Sequence, residues 1–228
     1  MIKIGQAITA MDVPKLPPEK NWLEFSTYCN GDMLIAGVDE VGRGALFGPV
    51  VAAAVILPDS NSLPQLLTTN IKDSKKLSAS KRIKLADLIS DIAIDWKIGF
   101  ATTAEIDSLN ILQASLLAMK RAVLKLKLQP ALCLIDGNQQ IKNLSLPQQT
   151  IVKGDSLSLT IASASIIAKV WRDELIIRLA NKYSIYDLEK NKGYGSKKHL
   201  TAIQNYGISP LHRKSFRPCQ ITEQKLRC

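Results

Sequence analysis

Four acidic residues, Asp39, Glu40, Asp136 and Asp155, stand where short strand-like runs stop. Leu34, Ile35, Ala36 and Val38 lead into Asp39-Glu40, Ala131 to Ile135 leads into Asp136-Gly137-Asn138, and Thr150-Ile151-Val152 leads into Lys153-Gly154-Asp155. Buried carboxylates are costly unless something positive neutralises them. Gathered at one end of a sheet, these four would make a site that cannot stay empty of cations. All-oxygen ligation suits Mg2+ or Mn2+ rather than zinc. Two such ions about 3.5 to 4 Å apart would activate a water and stabilise the leaving oxygen of an in-line phosphoryl displacement, so no histidine base is required.

Each acid also has a plainer reading. Asp-Glu between strands is by default a solvated turn, a single Asp at a strand end is unremarkable, and Asp155 could simply cap the helix that follows it, where the dipole favours an anion. The repetition of the pattern argues for a site. One geometric difficulty accompanies Asp39 and Glu40: neighbours in a regular strand face opposite sides. Both reach one site only if the strand ends or bulges there, which the following Gly42-Arg43-Gly44 would permit, or if Glu40 reaches round with its longer side chain or contributes its carbonyl.

The positioning elements are legible as periodicity. The run before Asp39 is too short for a helix and suits a buried strand, and Val50 to Leu57 reads as its partner. Trp96 to Thr102 alternates apolar and polar residues and reads as a third strand. A long helix follows, with Leu109, Leu112, Leu116, Met119, Val123 and Leu126 on one buried stripe, ending before Pro130; Met119 is core. Ser78 is placed to cap a helix through Lys81 to Ser90. A further helix runs through Ser163 to Asp173, and Ala162, Ala164 and Ala168 suit close packing on a sheet. Asp173 beside Arg172 reads as a surface ion pair. Buried strands that end in carboxylates and are reached through helices describe an α/β sheet presenting its site at strand ends.

Thirty Lys and Arg oppose twenty Asp and Glu in 228 residues, a formal charge of +10, and the cations are spread along the chain. Such an excess favours polyanions. No apolar run approaches the ~18 residues of a spanning helix. The cysteines, Cys29, Cys133, Cys219 and Cys228, lack C-x-x-C spacing, so neither a zinc site nor a disulfide scaffold is expected, and a reducing cytoplasm is the simplest home. Nothing demands a partner subunit, so a monomer is expected. Lys75 and Lys76, beside Asp73, form a charged loop or lie against phosphates. Tyr194, between two glycines and near Lys197 and Lys198, is an ordinary turn residue or stacks on a sugar or base. His199 and His212, lying among cations, are expected at a helix start and facing phosphate.

The motifs, in order, resemble ribonuclease HII, the type 2 ribonuclease H family, across about residues 33 to 218. They are Gly37-Val38-Asp39-Glu40-Val41-Gly42-Arg43-Gly44 with Gly48-Pro49, Asp73-Ser74-Lys75-Lys76-Leu77-Ser78, Ile135-Asp136-Gly137-Asn138, Lys153-Gly154-Asp155, Ser163-Ala164-Ser165-Ile166-Ile167-Ala168-Lys169-Val170, and Gly193-Tyr194-Gly195-Ser196. The resemblance implies a ribonuclease H-like mixed β-sheet flanked by helices with a helical C-terminal region, an N-terminal extension over 1–32 and a tail over 219–228. It implies an endonuclease that cuts the RNA strand of RNA/DNA hybrids and nicks duplex DNA 5′ to an embedded ribonucleotide, leaving 5′-phosphate and 3′-hydroxyl ends. Asp39, Glu40, Asp136 and Asp155 would bind catalytic Mn2+ or Mg2+. Gly42, Arg43 and Gly44 would read the ribose 2′-hydroxyl, Tyr194 would stack on the sugar of the following deoxynucleotide, and Lys75, Lys76, Ser163 and Lys169 would join in substrate binding. Rival readings are another metal nuclease of this fold, such as type 3 ribonuclease H or a resolvase, a non-catalytic nucleic-acid binder, and a small-molecule phosphohydrolase.

Overall fold

A computed structural model describes residues 34–58, 63, 71 and 78–220. Lys75, Lys76 and the N-terminal extension lie outside the described residues. The chain forms β1 (Ile35–Val41), β2 (Val50–Ile56), α1 (Ala79–Ile92), β3 (Asp95–Ala101), α2 (Thr103–Leu109), α3 (Ile111–Leu124), β4 (Leu132–Asp136), β5 (Gln148–Ile151), α4 (Leu159–Ala180), α5 (Leu188–Asn191) and α6 (Lys197–Tyr206).

The five strands lie in the order β3-β2-β1-β4-β5. β1 to β3 form an antiparallel meander, whereas β1, β4 and β5 run parallel. This is the mixed sheet that the family resemblance implies. The three parallel strands therefore end at one edge, which is where such sheets carry their sites.

Both faces are covered, which is why β2, β4 and β1 as far as Val38 are apolar rather than alternating. Val50, Ala52, Ala54 and Ile56 pack with Ala118, Met119 and Ala122 of α3 on one face. Ala53 and Val55 pack with α1 and with Ala162, Ala164 and Ala168 of α4 on the other. The small residues let α4 sit almost on the backbone of β1: a Cβ added at Gly37 would stand 2.2 Å from the carbonyl carbon of Thr160. Only glycine allows that approach, and it fixes α4 over the strand that carries Asp39 and Glu40. Among the described residues no helix is long and apolar enough to cross a membrane.

The long helix expected from Leu109 to Leu126 is two helices. Asn110, at φ 71, breaks it, and its Oδ1 accepts the N–H of Leu112 and of Gln113 at 3.0 and 3.1 Å to start α3. Asparagine tolerates positive φ and caps well, so it both ends α2 and begins α3. Leu109 is accordingly exposed, off the stripe to which Met119 belongs.

Arg172 also departs from expectation. It makes no surface pair with Asp173, which instead accepts from Lys169 at 2.7 Å. Arg172 is fully buried, and Nε, Nη1 and Nη2 donate to the carbonyls of Pro49, Lys192 and Phe47 at 3.1, 2.9 and 3.0 Å. Its five-donor fork satisfies carbonyls that the loop after β1 and the turn before Tyr194 would otherwise bury unpaired. The C-terminal helical region packs against that loop through Leu46 and Phe47, with Ile176, Tyr186, Leu188 and Ile203.

Candidate active site

The carboxylates converge because three parallel strands end together. Val38 pairs with Ile135, so Asp39 and Asp136 are the next residues along on neighbouring strands. Asp136 pairs in turn with Ile151, the last residue of β5. The chain then turns through Lys153, in the left-handed region at φ 58, into a short 3-10 turn, Gly154–Ser156, that brings Asp155 back to the same edge. Asp155 does not cap α4; Ser158 does, its Oγ accepting from Ile161 N–H. Asp39, Glu40, Asp136 and Asp155 line one cavity of about 360 Å3, with Val41, Arg82, Ser165, Ile166 and Lys169.

Asp39 and Glu40 meet there without a bulge. β1 stays in register with β2 through Asp39, Glu40 and Val41, while its parallel pairing with β4 ends at Val38. Asp39 thus stands level with the last residue of β4 and Glu40 just beyond it, where both can border the cavity at the strand ends. Glu40 is held there by Arg43, whose Nη1 donates to Oε1 at 3.1 Å. Asp39 Oδ1 accepts the N–H of Glu40 at 2.7 Å, and Asp136 Oδ1 accepts that of Gly154 at 2.7 Å.

Burial, and then the charges of Glu40 and Asp136, push Asp39 well above the ordinary carboxylate range; the Ser165 hydroxyl only partly offsets this. Burial also raises Glu40, against the pull of Arg43. Like charges in a shared low-dielectric space disfavour joint ionisation, so the site is an attractive place for a cation. Among the described residues, however, no three His, Cys, Asp or Glu side chains stand close enough to form a finished ligand shell. The acids line a common cavity rather than a finished coordination sphere. Their chemistry fits a hard divalent ion that draws oxygens inward.

The other expected site residues fall in three groups. Arg43 and Gly44 are exposed on the loop after Glu40, and Gly42, at φ 90, is buried against the Arg172 guanidinium. Lys169 lines the cavity and lies 5.6 Å from the centre of the Tyr194 ring, so Tyr194 stands beside the carboxylates rather than among them. Ser163, expected in substrate binding, does not line the cavity: it is fully buried, and its Oγ has no hydrogen-bond partner among the described residues. The serine at the cavity is Ser165, on the same helix face as Lys169. Sequence reasoning missed Ser165 and Arg82 as cavity residues. The spacing of 165, 166 and 169 is the signal that separates Ser165 from Ser163.

His199 does lie at a helix start, in the first turn of α6, but the expectation that the two histidines face phosphate is corrected. Both are buried and face each other, not phosphate, with Nε2 to Nε2 at 3.0 Å.

A family model described as Ribonuclease HII matches residues 36–219. A ribonuclease HII of Trichormus variabilis is 65% identical over 223 residues, covering 97% of this chain and 99% of its own. Among solved structures, ribonuclease H2 from Pyrococcus horikoshii OT3 superposes with a TM-score of 0.72 at 28% identity, over 86% of this chain and 99% of that one. Bst-RNase HIII, solved in complex with Mn2+, shares the fold with a TM-score of 0.69 at 18% identity, over 88% and 72%.

Proposed function

Because the chain belongs to the ribonuclease HII family, and so is a ribonuclease H endonuclease, we propose that it hydrolyses the RNA strand of RNA/DNA hybrids and nicks duplex DNA 5′ to embedded ribonucleotides. The products of this reading carry 5′-phosphate and 3′-hydroxyl ends. The observation that carries it is the placement of Asp39, Glu40, Asp136 and Asp155 around one cavity beneath exposed loop residues Arg43 and Gly44.

In this reading the four carboxylates hold Mg2+ or Mn2+, the latter being the ion in the similarly folded Bst-RNase HIII complex. The bound ions supply an activated water and charge neutralisation at the scissile phosphate. The chain's own residues do the rest. Lys169 and Arg82, cations at the edge of an acidic cavity, attract the phosphate that the carboxylates alone would repel. Burial on β1 keeps Asp39 and Glu40 rigid at the strand end, so little reorganisation is needed.

Recognition of the ribose belongs to Gly42, Arg43 and Gly44. Arg213 Nη1 donates to the carbonyl of Arg43 at 2.8 Å, and Ala45 N–H donates to that of Gly42 at 3.2 Å. Carbonyls turned inward leave the amides of this exposed turn to meet a 2′-hydroxyl, the group that separates RNA from DNA. Tyr194, flanked by Lys169 and Arg172, offers its ring to the neighbouring deoxyribose, which favours an RNA–DNA junction. Lys75 and Lys76 add phosphate contacts.

The test is a duplex DNA carrying one ribonucleotide, with an all-DNA control, in Mg2+, Mn2+ or chelator. A nick 5′ to the ribonucleotide that depends on divalent ion, and that ligase can reseal because its ends are a 3′-hydroxyl and a 5′-phosphate, is expected. Cleavage confined to long hybrids would reduce the reading to a general ribonuclease H.

A further inference from the structure

Outside the carboxylate cavity, the most unusual chemistry is the pair of buried imidazoles. His199 lies in the first turn of α6 and His212 in the segment that returns to the loop after β1. The sequence contains no other histidine.

Their hydrogen bonds run in one direction. Ser209 N–H donates to His212 Nδ1 at 2.9 Å, so that nitrogen carries a lone pair and, in a neutral ring, the proton is on Nε2. His212 Nε2–H then donates to His199 Nε2 at 3.0 Å, which leaves the His199 proton on Nδ1. His199 Nδ1–H in turn donates to the carbonyl of Tyr194 at 2.9 Å. The Ser209 hydroxyl also lies 2.9 Å from His212 Nδ1 and shares that acceptor, so every link agrees with a single ordering of protons, and burial lowers the basicity of both rings. A proton on either ring's acceptor nitrogen breaks the sequence.

The chain of bonds joins the two elements to which substrate reading was assigned above. His212 is bridged through its backbone to Phe47, with Gly48 N–H on the Leu211 carbonyl and Arg213 N–H on that of Leu46. Its ring meets Phe47 edge-on at 5.2 Å. At the other end, the Tyr194 turn is tied to the same loop, because the Gly193 carbonyl accepts from Leu46 and Phe47 N–H. The Tyr194 turn is thus held from two sides, and the imidazole pair is the side built from side chains, which substitution can remove.

We propose that His199 and His212 are positioning residues for specificity: their ordered pair holds the Tyr194 turn in register with the Gly42 to Gly44 loop, so that ribose and following deoxyribose are read together. This rests on the junction-reading role given to Tyr194. It assigns no contact with substrate to either histidine.

Two measurements test it. Long-range 15N–1H correlation on the unmodified protein near neutral pH should show one Nδ1–H and one Nε2–H tautomer; two Nε2–H rings would overturn the relay. In kinetics, the ratio of kcat/KM for a single-ribonucleotide duplex to that for a uniform RNA/DNA hybrid should fall at least about fivefold in Tyr194→Ala, the scale of one lost stacking contact. It should fall similarly in His199→Phe. In His199→Asn, whose amide N–H can replace the Nδ1 donor but which does not reach His212, the ratio should recover in part, above that of His199→Phe and below that of the parent. Equal loss on both substrates in His199→Phe, or no rescue by asparagine, overturns the inference while leaving the Tyr194 reading intact. An unchanged ratio in Tyr194→Ala overturns both. Should His199→Phe fail to fold, the tautomers and the asparagine variant still decide.

Discussion

Asp136 Oδ1 accepts the backbone N–H of Gly154 at 2.7 Å, so the last residue of β4 latches the turn that carries Asp155. One side chain therefore has two separable tasks, a structural one through its acceptor oxygen and an electrostatic one through its charge. Asp136→Asn keeps the first and removes the second. Metal-dependent cleavage is expected to fall at least about a thousandfold, the several kcal/mol that such ions supply, with melting temperature and hybrid binding little changed. Asp136→Ala should in addition lower the melting temperature. Near-normal turnover by the asparagine variant would remove Asp136 from the chemistry.

Gly37→Ala tests the seating of α4. The added methyl would stand 2.2 and 2.3 Å from the Thr160 carbonyl carbon and the Ile161 nitrogen, both main-chain atoms. Overpacking against backbone should cost about 3 kcal/mol or more, read as a lower denaturation midpoint. Because Ser165 and Lys169 ride on the same helix, cleavage should fall with it. Unchanged stability would mean that α4 is free to shift.

Arg172→Lys retains the charge and loses the fork. Three carbonyls, of Phe47, Pro49 and Lys192, would compete for one ammonium. The expected loss is about 2 to 4 kcal/mol in urea unfolding, the scale of one or two charged hydrogen bonds. A neutral substitution would show that the guanidinium is not what closes the loop after β1.

Acid should destabilise the fold through its histidines. Burial holds both below their ordinary value, His212 down to about 4, so the unfolded chain takes up protons first. Their contribution is complete above about pH 6.5 and is lost as pH falls toward that lower value. The slope is at most about 1.4 kcal/mol per pH unit for each ring. Urea unfolding across this window should show a shallower slope in His212→Gln than in the parent. Identical slopes would contradict the buried, neutral pair.

The sheet and its acids were readable because β1 and β4 are apolar runs that reach a carboxylate, and parallel strands must end at one edge. The pairing of Asp39 with Glu40 was readable only as a difficulty, since its resolution lies in where β4 stops relative to β1. The break at Asn110 had local signals, the Thr102 and Glu105 capping box and the asparagine itself, yet the leucine spacing runs straight across it. Ser163 and Ser165 differ only in helix face, and α4 is buried so nearly all round in its first half that periodicity gives little to choose by. His199 and His212 looked like surface chemistry because their sequence neighbours are cations, and Arg172 because it stands beside Asp173. Their burial depends on carbonyls and rings brought from more distant parts of the chain.

The central claim is that four acids remote in sequence form one divalent-ion site, and the most direct measurement is Mn2+ titration of the substrate-free protein followed by electron paramagnetic resonance. The parent should bind Mn2+, and Asp39→Asn and Asp136→Asn should each weaken that binding at least about tenfold, the lower end of what ligand-shell changes cost. Equal Mn2+ affinity in the parent and both variants would contradict a shared site at the sheet edge.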